Sequence, residues 1–215
     1  MDVLGPVNTT DTAATVSVVL TGPNTSEAMD GREQCSRWNI HGDAVKNGKV
    51  AFEGRIVRVE TGNALLPDGQ QMPIEVVRHP GGAAVVVLDD TDRVCLLRQY
   101  RVVLEDWLWE LPAGKIDDDE PPLLTAQREL AEEAGCTASR WQSLGAVISS
   151  PGVFDEMVHL YLATGLAQTP AHHDAHEIFE VHWLPFDEAL NWAQSGKIRD
   201  AKTIIGLFRA RAVLG

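Results

Sequence analysis

The chain has 215 residues, of which 44% are hydrophobic and 23% charged, so it can bury the core of one domain or of one domain with a small accessory module. Its net charge of −13 argues against nucleic acid as the main partner, because phosphate backbones attract basic surfaces. No apolar run reaches the roughly 20 residues that span a bilayer, no signal peptide is recognisable, and three cysteines give no disulfide framework, so we expect a cytoplasmic protein without a membrane partner.

The N-terminal part of the chain divides into two segments. Residues 1–36 are rich in Thr, Asn, Ser, Gly and Pro and show no hydrophobic period, which predicts a loosely ordered extension. Residues 45–80 contain β-branched residues in partial alternation and a turn signal at Asp68 and Gly69. They predict three short strands in a small antiparallel sheet domain.

Residues 81–212 predict an α/β sandwich. "AAVVVLDDTDRVCLLRQY" predicts a hairpin whose first strand is buried on both faces, and Cys95 in the second is expected in the core. "WQSLGAVIS", "VHLYLATGL" and "IFEVHWLP" predict strands. "FDEALNWAQSG", with Gly196 at its C-cap, and "RDAKTIIGLFRARAVL" predict helices, so strands are flanked by helices.

A further helix is predicted after Pro121, ending at Gly135. Glu129 and Glu133 are four residues apart on it and share one face, with Glu132 adjacent to both. An apolar stripe beside them can anchor the helix to a sheet; it consists of Leu123, Ala126, Leu130 and Ala134.

The glutamates of this helix repel one another, and Arg128 is expected to offset only one of them. A bound cation would relieve the repulsion, and ligands that are all oxygen suit Mg²⁺, with Mn²⁺ as a substitute. The alternative for a Glu-rich helix is an acidic face that simply meets solvent.

The order of residues favours the metal site. Gly114, five residues, Glu120, seven residues and then "RELAEEAGC" resembles the Nudix box, with Cys136 in a position where the family has an aliphatic residue. The resemblance implies a Nudix α/β/α sandwich. It also implies that Arg128 and Glu120 hold the loop and the glutamates in place, with Arg128 and Glu132 counted among the catalytic residues. The implied metal ligands are the carbonyl of Ala113 and the side chains of Glu129, Glu132 and Glu133.

The similarity extends over roughly residues 50–212 to the ADP-ribose pyrophosphatase branch, through "LLRQYR", "LWELPAGKID", "SPGVFDE" and "IRDAKTI". It implies that Arg101 contacts the diphosphate, that Glu110 lines the substrate pocket, and that Glu156 belongs to the substrate site. It further implies a homodimer in which residues 45–80 dock across two chains. Phe154, where relatives often have Ser, and Ile74, where many have a basic residue, are departures that bear on the choice of nucleotide or sugar.

The residue that activates water is expected outside the box, because cations lower the proton affinity of the carboxylates that bind them. In the ADP-ribose pyrophosphatase branch a loop before the "IFEVHW" strand supplies a catalytic glutamate, and Glu177 matches it best. Asp174 and His176 are the alternatives in the same loop, and Glu156 is the alternative outside it.

The function that the resemblance implies is metal-dependent hydrolysis of ADP-ribose to AMP and ribose 5-phosphate. Other nucleoside diphosphate sugars, of the GDP-mannose or UDP-glucose type, are the alternative substrates, because only the base and sugar pockets differ. A regulator that binds nucleotide sugars without catalysis is a remote alternative. Residues 172–177, "HHDAHE", could suggest a separate metal module, but their spacing matches no familiar zinc set and predicts a polar loop.

Overall fold

The computed structural model describes residues 45–117, 120–171 and 177–215. The expectation for residues 1–36 therefore lies outside the described residues. The described ranges hold ten strands and three helices: β1 (Val45–Glu53), β2 (Arg58–Leu65), β3 (Gln71–Arg78), β4 (Gly82–Val87), β5 (Arg93–Arg101), β6 (Asp106–Glu110), β7 (Ala113–Lys115), α1 (Pro122–Ala134), β8 (Cys136–Ser150), β9 (Phe154–Gln168), β10 (Phe179–Pro185), α2 (Phe186–Gln194) and α3 (Ala201–Leu214).

The larger of two sheets in the described residues has seven strands, in the order β1-β2-β3-β9-β4-β7, with β8 pairing with β9 outside this path. β4 runs parallel to β9, and β7 and β8 run antiparallel to β4 and β9. This arrangement brings the short strand β7, which carries Gly114, to the edge of the buried strand β4.

The three strands of residues 45–80 form as the sequence predicts, since β2 pairs antiparallel with both β1 and β3. They are not a detached sheet, however. Val77 of β3 pairs with Phe154 at the start of β9, so the main sheet continues into them. Their exposed apolar side chains include Val50, Phe52 and Met72.

The prediction of a hairpin around residues 89–92 is wrong about the pairing of its two strands. The chain does reverse there, with Asp92 at a φ of 56°, but β4 and β5 belong to different sheets. Only a bridge between Leu88 and Val94 joins their ends. β5 instead lies between β10 and β6 in an antiparallel sheet of three described strands. β5 does not pair along β4 because both edges of β4 are already occupied, one by β9 and the other by β7.

The core shows why the layers form. Ala83, Val85 and Val87 of β4 pack in one cluster with Ala126 and Leu130 of α1. The alternating residues Ala84 and Val86 pack in a second cluster, where α2 and α3 contribute Phe186, Ala189, Leu207 and Ala210. Since strand side chains alternate between faces, a fully apolar β4 needs helices on both sides. The result is the expected α/β/α sandwich.

The expectation for Cys95 is confirmed, because it is fully buried in the core. Helix α2 forms as predicted, but its C-cap is Ser195, and Gly196 is the residue after the cap, with a φ of 80°. In the described part of the chain, no helix is both long and apolar enough to cross a membrane.

Candidate active site

Helix α1 presents two buried glutamates. It begins after Pro121 and ends at Gly135, which adopts a left-handed conformation and donates its N–H to the carbonyl of Leu130. Leu130 is anchored against β4. Because they lie on neighbouring positions of the same helix, Glu129 and Glu133 turn inward as well, and only 9% and 3% of their surfaces are exposed.

Gly114 makes room for Glu129. A Cβ atom added at Gly114 would lie 1.8 Å from Glu129 Oε1, far inside van der Waals contact. The φ of Gly114 lies outside the left-handed range, so its backbone conformation does not require glycine. Glycine is required at this position because a side chain would collide with Glu129. It lets the carboxylate rest directly against the backbone of β7.

Glu133 is the more deeply buried of the two carboxyl groups. Its Oε2 accepts a hydrogen bond of 2.8 Å from the backbone N–H of Ala113. Burial, with the neighbouring negative charge of Glu129, raises the pKa of Glu133 to about 9. Burial also raises the pKa of Glu129, despite the charge of Arg128. For both groups the neighbouring positive charge is too small to offset burial, and a bound cation would supply more.

Arg128 binds more of the acidic cluster than the sequence suggested. Its Nη1 donates to Glu129 at 2.6 Å and to Glu132 at 3.1 Å. Its Nη2 donates to Glu120 at 3.1 Å and to the carbonyl of Lys115. The expectation that Arg128 offsets only one of the glutamates is therefore wrong: it bridges Glu129, Glu132 and the start of the loop.

The residues fit a divalent cation. In the described ranges, His, Cys, Asp and Glu side chains do not converge in groups of three or more on a metal position. Mg²⁺, however, needs only one or two protein carboxylates, with water and substrate phosphates completing its shell. Glu129 and Glu133 supply such a pair, while the more exposed Glu132 faces Arg128. Ala113 lies beside Glu133 through its N–H.

A second charged group lies at the ends of β5 and β6. Arg101 donates to both carboxylate oxygens of Glu110 at 2.7 Å. Lys202 Nζ lies 2.5 Å from the same carboxylate and 3.0 Å from Asp200. Although burial opposes ionisation, the hydrogen bond from Arg101 and the charge of Lys202 lower the pKa of Glu110 to about 2. Glu110 is thus a buried anchor for Arg101, whose side chain remains 40% exposed.

Sequence reasoning missed Lys202 and its neighbours as parts of this group. Asp200 caps α3 by accepting from Thr203, both from its N–H and from its hydroxyl. Thr203 in turn accepts from the N–H of Leu111 at 2.8 Å. The sequence "IRDAKTI" did contain a helix-start signal, an N-cap Asp followed two residues later by Lys. The contact of this lysine, Lys202, with Glu110 could not be predicted from it, because the two residues are 92 positions apart.

Glu177 is exposed and lies two residues before β10. Its negative charge is one of the smaller causes that raise the pKa values of Glu129 and Glu133. Glu177 therefore lies within electrostatic range of the buried glutamates. The alternative bases Asp174 and His176, and most of the segment 172–177, lie outside the described residues.

Glu156 lies near the start of β9. Its Oε1 is 3.6 Å from Nδ1 of His79. The adjacent Asp155 accepts hydrogen bonds from the N–H of His79 and from Arg78. These contacts connect the end of β3 to the start of β9, so Glu156 stands where the N-terminal strands join the sandwich. Its assignment to the substrate site stays a prediction.

Comparison with known proteins identifies the family of the chain. The ADP-ribose pyrophosphatase of Mycobacterium tuberculosis (strain ATCC 25618 / H37Rv) is 40% identical over 171 residues, 78% of this chain and 82% of that protein. The methanol dehydrogenase activator of Bacillus methanolicus is 39% identical over 158 residues, 73% and 85% of the two chains. A crystal structure of an ADP compounds hydrolase shares the fold, with a TM-score of 0.68 at 23% identity over 79% of this chain and 92% of that one. The family model of the NUDIX domain matches residues 78–205. The chain therefore belongs to the Nudix family of hydrolases.

Proposed function

We propose that this enzyme hydrolyses ADP-ribose to AMP and ribose 5-phosphate. The observation that carries the proposal is the buried carboxylate pair Glu129 and Glu133 on one face of α1, together with Arg101 at the end of β5, whose charge acts on Glu133. The relative from Mycobacterium tuberculosis, which is named an ADP-ribose pyrophosphatase, supports this choice of substrate.

The chain's own residues divide the work by charge. Glu129 and Glu133 would hold Mg²⁺, which would neutralise the diphosphate and polarise its phosphoryl oxygens. Arg101 is suited to bind a phosphoryl group through its planar guanidinium. Glu110 and Lys202 fix the position of Arg101, so that little ordering is left for the moment of binding.

Glu177 is the proposed general base. It would take one proton from a water whose oxygen attacks a phosphorus atom, while the bond between that phosphorus and the bridging oxygen breaks. The second phosphate leaves with the electron pair of that bond. Glu177 suits this role better than the box glutamates because it is exposed and not held by Arg128.

Three finer statements are also proposals. Mg²⁺ is the expected metal because the donors are carboxylate oxygens. A homodimer is expected because three strands at the N-terminal side carry exposed apolar residues such as Val50 and Phe52. A cytoplasmic location is expected from the sparse cysteines. Light scattering at micromolar concentration tests the dimer, and a mass near 23.5 kDa would count against it.

The test of the function is a substrate panel. Purified protein with Mg²⁺ is incubated with ADP-ribose, GDP-mannose, UDP-glucose and dinucleotides, and products are separated by chromatography. We expect the highest kcat/KM with ADP-ribose, yielding AMP. A clear preference for GDP-mannose or UDP-glucose would replace the substrate but keep the chemistry. The absence of hydrolysis of every diphosphate would overturn the proposal.

A further inference from the structure

Gln99 is a buried polar residue that the charged networks leave out. It lies in β5, and only 6% of its surface is exposed. Its side-chain amide forms no hydrogen bond with the described residues. Since the described part of the chain has no fully buried side-chain N or O atom without a partner, the amide end keeps contact with solvent. With so little of the side chain exposed, the amide opens to solvent over a small area, where a ligand can take the place of water and complete its hydrogen bonds.

The strand places this amide between the groups already described. Leu97, Gln99 and Arg101 alternate along β5 and share one face. Leu97 pairs with Glu110 and Gln99 pairs with Leu108 of β6. Because Arg101 contacts Glu110, their ion pair spans the face beside Gln99.

This face of β5 is turned towards helix α1. Cys95, two positions before Leu97 on the same face, packs in the cluster that contains Ala126 and Leu130 of α1. The charge of Arg101 also acts on Glu133. A substrate that binds both Arg101 and a cation held by Glu133 would therefore lie against Gln99.

We infer that Gln99 is a specificity-determining residue whose amide hydrogen-bonds a hydroxyl of the sugar in the nucleoside diphosphate sugar. This inference rests on the proposed function. An amide offers a donor and an acceptor, and a hydroxyl uses both. A phosphoryl oxygen only accepts, and the neighbouring Arg101 already meets its charge. A site built to bind a hydroxyl discriminates against analogues that lack it.

The experiment combines protein variants with deoxy analogues. Wild type and Gln99→Met are assayed with ADP-ribose and with analogues that each lack one ribose hydroxyl. Gln142→Met, at an exposed glutamine of β8, controls for the substitution itself. We expect Gln99→Met to lose about tenfold or more in kcat/KM on ADP-ribose. On the analogue without the contacted hydroxyl, wild type and variant should be equal, since the interaction is already absent.

Equal losses on every analogue, or no loss on ADP-ribose, would overturn the inference. If Gln99→Met does not fold, Gln99→Glu provides the test, because it keeps the size and removes the donor. Calorimetric titration of ADP-ribose without added metal gives a second readout, in which the same tenfold weakening and the same analogue pattern are expected. A wild type that binds ADP-ribose in this pattern but does not hydrolyse it would refute the proposed function and leave the role of Gln99 standing.

Discussion

Lys202 Nζ lies 2.5 Å from Glu110 Oε2 and joins the start of helix α3 to the end of β6. Glu110 is 1% exposed, so its charge depends on Lys202 and Arg101. Arg101 uses its Nε and Nη2 on Glu110, and the rest of its guanidinium, on a side chain that is 40% exposed, can bind a substrate. Helix α3 thereby influences a binding residue that it does not carry.

Substituting Lys202→Met should destabilise the fold and weaken substrate binding. Glu110 would keep Arg101 as its partner, so we expect a loss of about 1–3 kcal/mol, the range for a hydrogen bond to a charged group, together with a raised KM. Urea denaturation and steady-state kinetics measure the two effects. Lys49→Met, at an exposed position of β1, is the control. Unchanged stability would show that the contact carries no net energy.

Substituting Gly114→Ala should disable the enzyme more than it destabilises the fold. The added Cβ would overlap Glu129 Oε1 and force this carboxylate out of position. A displacement of about 1 Å at a catalytic group can lower turnover by roughly a hundredfold. Gly152→Ala, at a glycine with open space around it, controls for the added methyl group. Normal kcat in Gly114→Ala would contradict the placement of Glu129.

Substituting Glu133→Gln should lower turnover by about a hundredfold or more, the scale for losing one well-placed electrostatic group. The same variant should be more stable than wild type at neutral pH without added metal, because the raised pKa of Glu133 makes wild type take up a proton on folding, a cost that glutamine does not carry. Kinetics over a range of Mg²⁺ concentrations and thermal melting measure both. Glu75→Gln, on the exposed side of β3, is the control. Near-normal activity of Glu133→Gln would remove it from the metal site.

Stability should fall in acid partly through Asp89. Slight burial raises the pKa of Asp89, but hydrogen bonds from Arg93 and Thr91 outweigh it and lower this pKa from 3.8 to about 2. A carboxyl group with a lowered folded-state pKa stabilises the fold above its unfolded value, and this contribution is lost as pH falls towards the folded value. Asp89→Asn should therefore differ from wild type above about pH 4 and converge with it near pH 2. Urea midpoints across this window test it, with the exposed Asp90→Asn as control. A constant difference at all pH values would contradict this assignment.

Substituting Glu177→Gln should lower kcat by about a hundredfold or more while KM changes little, as for the loss of a general base. Asp174→Asn and His176→Ala are compared at saturating Mg²⁺ and substrate. Glu180→Gln, at an exposed residue of β10, shows the effect of losing a nearby charge. If Glu177→Gln behaves as wild type and another variant loses kcat, that other residue is assigned as the general base. If all three variants keep their kcat, Glu156→Gln is the next variant to assay.

The sequence by itself determined the helix of the box and its chemistry. Local signals were sufficient there, because Pro121 and Gly135 mark its ends and the glutamate spacing follows from helix geometry. The continuous apolar run of β4 likewise required cover on both faces, which α1 and α3 provide. These features depend on residues close together in the chain.

Only the tertiary structure decided which distant groups meet. β4 and β5 follow each other in the chain but enter different sheets. Val77 meets Phe154, and Lys202 meets Glu110, across long stretches of sequence. Periodicity gives the faces of an element, but the partner of each face depends on packing of the whole chain. The place of Gln99 also depends on the fold, because neither its burial nor the lack of a hydrogen-bond partner for its amide among the described residues can be read from sequence.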